Sequence, residues 1–300
     1  FTLERGINGT SKENDKESHA ASIIRLRVDA DLTENVSTVV RLLNERNWDM
    51  EAASLNEVGI DLGYVTLREF LYSPLTLTIG RQELHFGNDF IVGDPDTNNQ
   101  VAGTSLHDAD LSMKKAFDAV RATLDYKPLV IDAFWAKIDE NTLIGIDTSG
   151  NSEKDDIDLF GVNARYDFGG NWKTIAEVYY FGKVDNSVRD TVAAKKKKTK
   201  IDNIGGRFEV SPTERLMLQG EAAFQFGKRN NVNILNQQEV EAWAAQGIGR
   251  YALNMKYSPI LMAIYTFRSG DKNGSNIGTD EAWDPMYENQ TSGHIANVLF

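Results

Sequence analysis

The chain has 300 residues, a formal net charge of −12 at pH 7 and no cysteine. The acidic balance argues against nucleic acid as a partner, and the lack of cysteine excludes disulfides and thiolate metal sites. No stretch approaches the roughly 18–20 apolar residues of a membrane helix, but a membrane β-barrel stays open, because its strands need only about ten residues with every second one apolar.

Predicted strands follow one another along the whole chain. Apolar and polar residues alternate with period two, and aromatic and β-branched residues recur. The clear runs are 22–32, 76–84, 119–126, 161–168, 206–210, 215–226 and 249–257. Helical periodicity is confined to 236–246, which fits either a loop helix or the start of a strand.

The connections between these strands are of two kinds. Short ones, rich in the proline and glycine of tight turns, are 32–35, 72–75, 126–129, 168–172, 210–214 and 257–260. Long polar ones lie near 11–20, 46–55, 86–112, 139–156, 184–200, 229–240 and 270–292. The acidity is concentrated in three of the long ones (86–112, 139–156 and 270–292), whereas 184–200 is basic and contains KKKK.

Short and long connections alternate strictly, as periplasmic turns and extracellular loops do in outer-membrane barrels. Aromatic residues stand beside the short turns, where one girdle of such a barrel is expected: Tyr72, Tyr126, Phe168, Trp172 and Tyr257. We therefore predict an all-β, antiparallel transmembrane β-barrel of about fourteen strands, in one domain over residues 1–300. A soluble β-protein is the alternative.

The stretch LTLTIGRQEL (75–84) tests this prediction, because simple alternation would place Arg81 and Glu83 on the apolar face of Leu75, Leu77 and Ile79. An arginine facing lipid near mid-membrane costs about 2–4 kcal/mol. We expect a bulge or kink at Gly80 that turns Arg81 into the lumen. The alternative is that Arg81 lies above the hydrocarbon and reaches the headgroups.

Charged residues also alternate with apolar ones on the other strands, which places them on the inner face. Arginine recurs more than lysine, and guanidinium groups bind carboxylates and phosphates in bidentate fashion. The predicted lumen residues are Arg25, Arg27, Asp29, Arg81, Glu83, Asp118, Arg121, Asp125, Arg165, Asp167, Arg207, Glu209 and Arg250. The alternative for each is that Arg–acid pairs only brace the wall of a wet lumen.

The sequence carries none of the common motifs of catalysis or cofactor binding. The sequence has no G-x-S-x-G, H-E-x-x-H or phosphate-binding glycine loop, and its four histidines lack metal-ligand spacing. Residues 94–105 begin like a calcium loop, but Asn99 and Ser105 stand where glycine and glutamate are required. We expect neither an enzyme nor a cofactor or resident metal; opportunistic Ca²⁺ binding by loop acids stays open.

Three motifs resemble the alginate-export family of outer-membrane barrels: LTLTIGRQELHFGNDFIVGD (75–94), FDAVRATLDY (117–126) and the Gly-Asp-Lys-Asn loop with its later Trp-Asp-Pro (269–289). The resemblance implies a monomeric barrel with an arginine-rich lumen that passes an anionic polysaccharide. It also implies that Arg81, Glu83, Asp118 and Arg121 line the lumen. Family barrels have about eighteen strands, so strands beyond residue 300 are expected; the alternative is a barrel that ends at Phe300.

The leading hypothesis is a passive outer-membrane channel for anionic solutes or an alginate-type polysaccharide. Its partners would be the lipid bilayer, lipopolysaccharide and the solute, and the protein would be a monomer in the bacterial outer membrane. A structural or surface-display barrel with a plugged lumen is the first alternative. An enzyme embedded in a barrel is the second, although no Ser–His pair on the outer wall is evident.

Overall fold

The computed structural model describes residues 2–4, 16–18, 21–47, 58–95, 115–138, 157–185, 198–230, 237–272 and 278–290. The regular structure in these ranges is entirely β. No helix in the described part of the chain has the length and apolar character needed to cross a membrane.

The described ranges contain fourteen strands. They are β1 (Thr2–Glu4), β2 (Lys16–Ser18), β3 (Ala21–Asp31), β4 (Val36–Asn47), β5 (Val58–Leu67), β6 (Leu75–Glu83), β7 (Ala116–Asp125), β8 (Leu129–Ile138), β9 (Ile157–Gly169), β10 (Thr174–Asp185), β11 (Thr199–Thr213), β12 (Leu216–Asn230), β13 (Gln237–Ala252) and β14 (Ile260–Arg268).

Strands β3 to β14 form one antiparallel sheet in which every strand pairs with its neighbours in sequence. Alternate connections of such a meander lie at the same end, so the six predicted short turns share one edge, as expected. The prediction of about fourteen strands in one barrel needs a correction. Within the described part of the chain, β1 and β2 pair only with each other, and the main sheet has twelve strands. The predicted last strand, 293–300, lies outside the described residues.

The two faces of the sheet differ in what covers them. On the outer face large apolar side chains are exposed, for example Ile24 (66%), Val178 (63%) and Phe208 (54%). On the inner face Phe117, Phe134 and their neighbours are buried. Because successive residues of a strand point to opposite faces, the period-two pattern produces both surfaces. An apolar surface of this extent indicates contact with lipid.

Two segments that leave the strands, 84–95 and 278–290, lie against the inner face; we call them the inner segments. Val92 and Tyr287 form a parallel β-bridge between them, and Tyr287 donates its backbone N–H to the carbonyl of Ile91 (3.0 Å). Phe86 stacks on Phe134 of β8, with ring centroids 5.0 Å apart. The inner segments and the sheet thus share one apolar core.

Residues 236–246, which fit a helix or a strand, belong to the strand β13. Val240, Ala242 and Ala244 are buried on the inner face, while Trp243 is 49% exposed on the outer face. The alanines and glutamates gave the segment its helical appearance. Its burial follows period two, because it pairs with both β12 and β14.

The prediction that a bulge at Gly80 turns Arg81 into the lumen is wrong. The β6–β7 ladder runs without a register shift from Leu75–Leu124 to Glu83–Ala116. Arg81 therefore lies on the outer face with Ile79, and it pairs there with Asp118 (Nη2–Oδ2, 2.6 Å), which is also not a lumen residue. Gly80 does have a left-handed backbone (φ +121°), but it distorts the strand locally without adding a residue.

Replacing Gly80 by alanine should destabilise the sheet. An added Cβ would lie 2.3 Å from the carbonyl oxygen of Gly63, and φ is one that L-residues rarely adopt. We expect a loss of about 1–3 kcal/mol in the free energy of unfolding, measured by urea titration in detergent micelles. Gly59→Ala is the control, because a Cβ there meets no atom within 4 Å. Equal stability of the two variants would contradict the steric argument.

Candidate functional site

A cavity of about 430 Å³ lies on the inner face, between strands β7–β11 and the first inner segment. Side chains of the strands form its floor: Arg121, Val130, Asp132, Asn163, Arg165, Ile175, Glu177, Arg207 and Glu209. His85, Phe86 and Gly87 of the inner segment cover it. The cavity thus joins three of the predicted lumen arginines, one from each of β7, β9 and β11.

Arg207 is tightly bound within the wall of this cavity. Its guanidinium donates to Glu177 (Nη1–Oε1, 2.6 Å) and to Gln219 (Nη2–Oε1, 3.0 Å), and it also pairs with Glu209. Only 8% of its side chain is exposed. Arg207 is therefore a structural brace between β10, β11 and β12. Gly87 passes so close above it that a Cβ would meet Arg207 Cδ at 3.0 Å.

Arg121 and Arg165 are more available. Arg121 donates to Asp132 (Nε–Oδ1, 2.8 Å), and its guanidinium carbon lies 5.5 Å from the centre of the Phe86 ring. Arg165 is exposed and forms no ion pair or side-chain hydrogen bond with any described residue. Glu177 stands opposite Arg165 in the β9–β10 ladder, but its carboxylate is bound by Arg207. The guanidinium of Arg165 is therefore not held by the carboxylate that stands opposite it.

Four other predicted residues lie elsewhere on the inner face, three on β3 and one on β13. Arg25, Arg27 and Asp29 lie on β3, where Arg27 pairs with Asp29 (2.7 Å). Arg250 lies on β13 and has no ion pair among the described residues.

The predicted acids mostly serve as local partners. Glu83 accepts from Arg41 (Oε1–Nη2, 2.5 Å). Asp125 and Asp167 cap short turns, since each accepts a backbone N–H two residues along the chain. These two carboxylates therefore do not neutralise the predicted band of arginines.

Arg41 belongs to the inner face and was missed. It pairs with Asp61 (2.5 Å) as well as with Glu83, and Asp61 is buried at the β4–β5 register shift. Arg41 stands in VVRLL, a run whose apolar residues conceal the alternation. The β-bulge that brings Asp61 inward leaves no mark in the sequence.

A second missed group anchors the inner segment 278–290. The Asp284 carboxylate accepts from Lys183 (Oδ2–Nζ, 2.9 Å) and lies 3.4 Å from Arg229 Nη2. The Gln225 amide bonds both the carbonyl and the N–H of Asp284. Burial opposes ionisation, but Lys183 and Arg229 hold the pKa of Asp284 below its ordinary value. The sequence pattern could not bring these residues together, because they are up to about a hundred positions apart.

His85 adds a further positive charge at the cavity. The Asp89 carboxylate, 2.9 Å from Nδ1, and then the Glu83 carboxylate raise the pKa of His85 to about 10. The imidazole is therefore protonated at neutral pH. No group of three or more His, Cys, Asp or Glu side chains suited to a metal ion occurs in the ranges that the structure describes.

We expect His85 to stay protonated at pH 8. Its folded-state pKa lies above the unfolded value of about 6.5, so the stabilisation is complete below about pH 6.5 and is lost as the pH rises through about 10. NMR in detergent micelles would follow the ring resonances of His85 as the pH is changed. These resonances are assigned because they are absent from the spectrum of His85→Gln. Asp89→Asn should lower the midpoint, and a wild-type midpoint near 6.5 would disprove the pairing.

The sheet, its exposed apolar outer face and its polar inner cavity define a β-protein of the outer membrane. The chain belongs to the alginate export family, whose model matches residues 4–297. The protein is thus located in the bacterial outer membrane, and the family supports an outer-membrane channel.

Among solved structures, the chain is similar to Salmonella typhi OmpF in complex with daunomycin, with 12% identity, 90% of each chain covered and a TM-score of 0.42. It is also similar to Vibrio cholerae OmpT (11%, 89% of this chain and 96% of that chain, TM-score 0.38). A mutant porin of Rhodopseudomonas blastica follows (10%, 89% and 94%, TM-score 0.33). No curated protein matches the chain.

Proposed function

We propose that the sheet closes into a barrel and that the chain is a channel for anionic solutes, an alginate-type polysaccharide among them. The observation that carries this proposal is the cavity in which Arg121, Arg165 and protonated His85 come together. Arg165 has no carboxylate partner among the described residues, so it is available to an anion that enters from the solvent.

Transport through such a site requires weak, repeated binding. A guanidinium binds a carboxylate with two parallel hydrogen bonds, while neighbouring acids such as Asp132 and Glu177 compete for the same donors and limit its affinity. A polyuronate could then pass from one arginine to the next by exchange, as ions pass between the sites of a pore. We propose passive diffusion through this path by a monomer, without catalysis.

A structural or surface-display barrel is the second candidate function, and one observation favours it. The inner segments fill part of the inner face with a packed core that includes Phe90, Trp283 and Tyr287. If the inner segments never leave the inner face, the inner cavity opens at only one end of the barrel. The long connections then carry the function.

Reconstitution into planar lipid bilayers tests the proposal. We expect steady single-channel conductance, with reversal potentials that show a preference for anions. Added oligouronate should reduce this conductance. Heat-modifiable mobility on a gel shows that the reconstituted protein is folded. If folded protein gives no conductance, the result would favour the surface-display barrel. Cation preference with no effect of the oligouronate would refute the anion path.

A further inference from the structure

Two lysines stand side by side on the outer wall. Lys200 of β11 and Lys228 of β12 are directly opposite in the ladder, and like charges in this position destabilise a sheet. Lys200 is 3.2 Å from Asp202, a carboxylate that also accepts from the Tyr180 hydroxyl. Lys228 is exposed and has no ion pair among the described residues.

Acidic neighbours do not account for this arrangement. Glu239 of β13 stands opposite Lys228, and Glu241 stands opposite Phe226, so both are near. Neither carboxylate lies within ion-pair distance of Lys228. The ammonium group of Lys228 is therefore open to an anion from outside the chain. Lys200 pairs with Asp202, but 53% of its side chain is exposed, so a ligand can reach it from the solvent.

The surface next to the lysines is apolar. Ile204, Phe224 and Phe226 follow towards the short-turn edge on the same face, exposed by 56, 44 and 39%. Ile204 and Phe224 are direct cross-strand partners. A ligand that combined an anionic group with hydrocarbon chains would contact the lysines and this strip together.

The position of the lysines along the strands fits the outer leaflet. They lie at the end opposite the short turns, which is the extracellular end of a barrel. Lys228 is twelve positions beyond Leu216, the first residue of β12. At about 3.3 Å per residue and a tilt near 40° this places it roughly 30 Å above the short turn, just beyond an apolar band of about 25 Å.

We propose that Lys200 and Lys228 bind the phosphate groups of the outer-leaflet glycolipid, the lipid A part of lipopolysaccharide, with its acyl chains on Ile204 and Phe224. The apolar strip favours a lipid phosphate over free phosphate. The site is on the outer wall, so it is independent of conduction through the lumen. A protein without conductance that still binds lipid A would refute the proposed function and leave this proposal intact.

Native mass spectrometry of the folded protein in detergent, titrated with diphosphoryl lipid A, tests the site. Near a charged membrane surface each lysine contributes about 1 kcal/mol, so Lys200→Ala with Lys228→Ala should weaken retention by about 30-fold. The double arginine variant should retain lipid A. Lys127→Ala with Lys256→Ala, at exposed positions on the short-turn edge, is the charge-matched control and should bind as the wild type does.

Three results would overturn the proposal. The first is equal retention of lipid A by the wild type and the double alanine variant. The second is equal retention of lipid A and its fully dephosphorylated form by the wild type. The third is displacement of lipid A by millimolar inorganic phosphate, which would make the surface a general anion site.

Discussion

Asp284→Ala should raise the single-channel conductance several-fold, the largest change we expect from one substitution. The variant leaves Lys183, whose side chain is 13% exposed, without this carboxylate, while Arg229 keeps its pair with Asp280. Breaking a buried pair costs about 3–5 kcal/mol. The inner segment 278–290 can relieve that cost by leaving the inner face. Water would then reach Lys183 and Arg229 and solvate both cations. Its departure would remove Trp283, Met286 and Tyr287 from the core and widen the path.

Glu281→Ala is the matched control, because it removes one negative charge from the same segment. Among the described residues Glu281 pairs only with Lys272, which is 78% exposed, and a surface pair of this kind contributes little. Its conductance should equal that of the wild type. Trp283→Ala provides a second route to the same opening without a change of charge. Wild-type conductance in both Asp284→Ala and Trp283→Ala would show that the segment does not restrict the path.

The main features of the sheet follow from the sequence, because period-two alternation and the spacing of turns are local signals. The prediction was correct for the antiparallel meander and for the shared edge of the short turns. Three of the predicted lumen arginines, Arg121, Arg165 and Arg207, lie on the inner face around one cavity, and their role in a lumen stays a prediction. In each of these strands the charged residue stands between apolar residues of the outer, lipid-facing side. Because successive residues alternate between the two faces, the apolar outer residues show that the charged residue lies on the inner face.

The inner segments could not be predicted in this way. Phe86, Phe90 and Trp283 belong to stretches that are polar on average, and their burial depends on contacts across about two hundred positions. The same limit explains the error at Arg81. We assumed that an arginine avoids the outer face, but Asp118 on the next strand satisfies it there, and a pair formed across strands is not visible within one strand.

The pairing of the inner arginines also changes the expected selectivity. A free band of guanidinium groups would be strongly cationic. Arg207 is held by three partners and Arg27 by Asp29, so only part of the positive charge can act on a solute. We expect that part to come from Arg165 and Arg250, which have no ion pair among the described residues, with Arg121 and His85 beside Arg165 at the cavity.

Arg165→Ala should therefore shift the reversal potential towards cations, and adding Arg121→Ala should increase the shift. The first change removes a guanidinium that no described residue neutralises. The second also leaves Asp132, whose side chain is 7% exposed, as a buried negative charge facing the path. We expect the anion-to-cation permeability ratio in planar bilayers to fall several-fold in the double variant. The effect should shrink at 1 M salt, where screening shortens to about 3 Å.

Arg81→Ala is the control that separates this mechanism from a general effect of net charge. It removes the same guanidinium, but from the outer face, where the side chain pairs with Asp118 away from the cavity. Its permeability ratio should equal that of the wild type. An unchanged ratio in the double variant would mean that Arg121 and Arg165 only brace the wall. A shift in Arg81→Ala as large as that in Arg165→Ala would mean that the path does not run along the inner face.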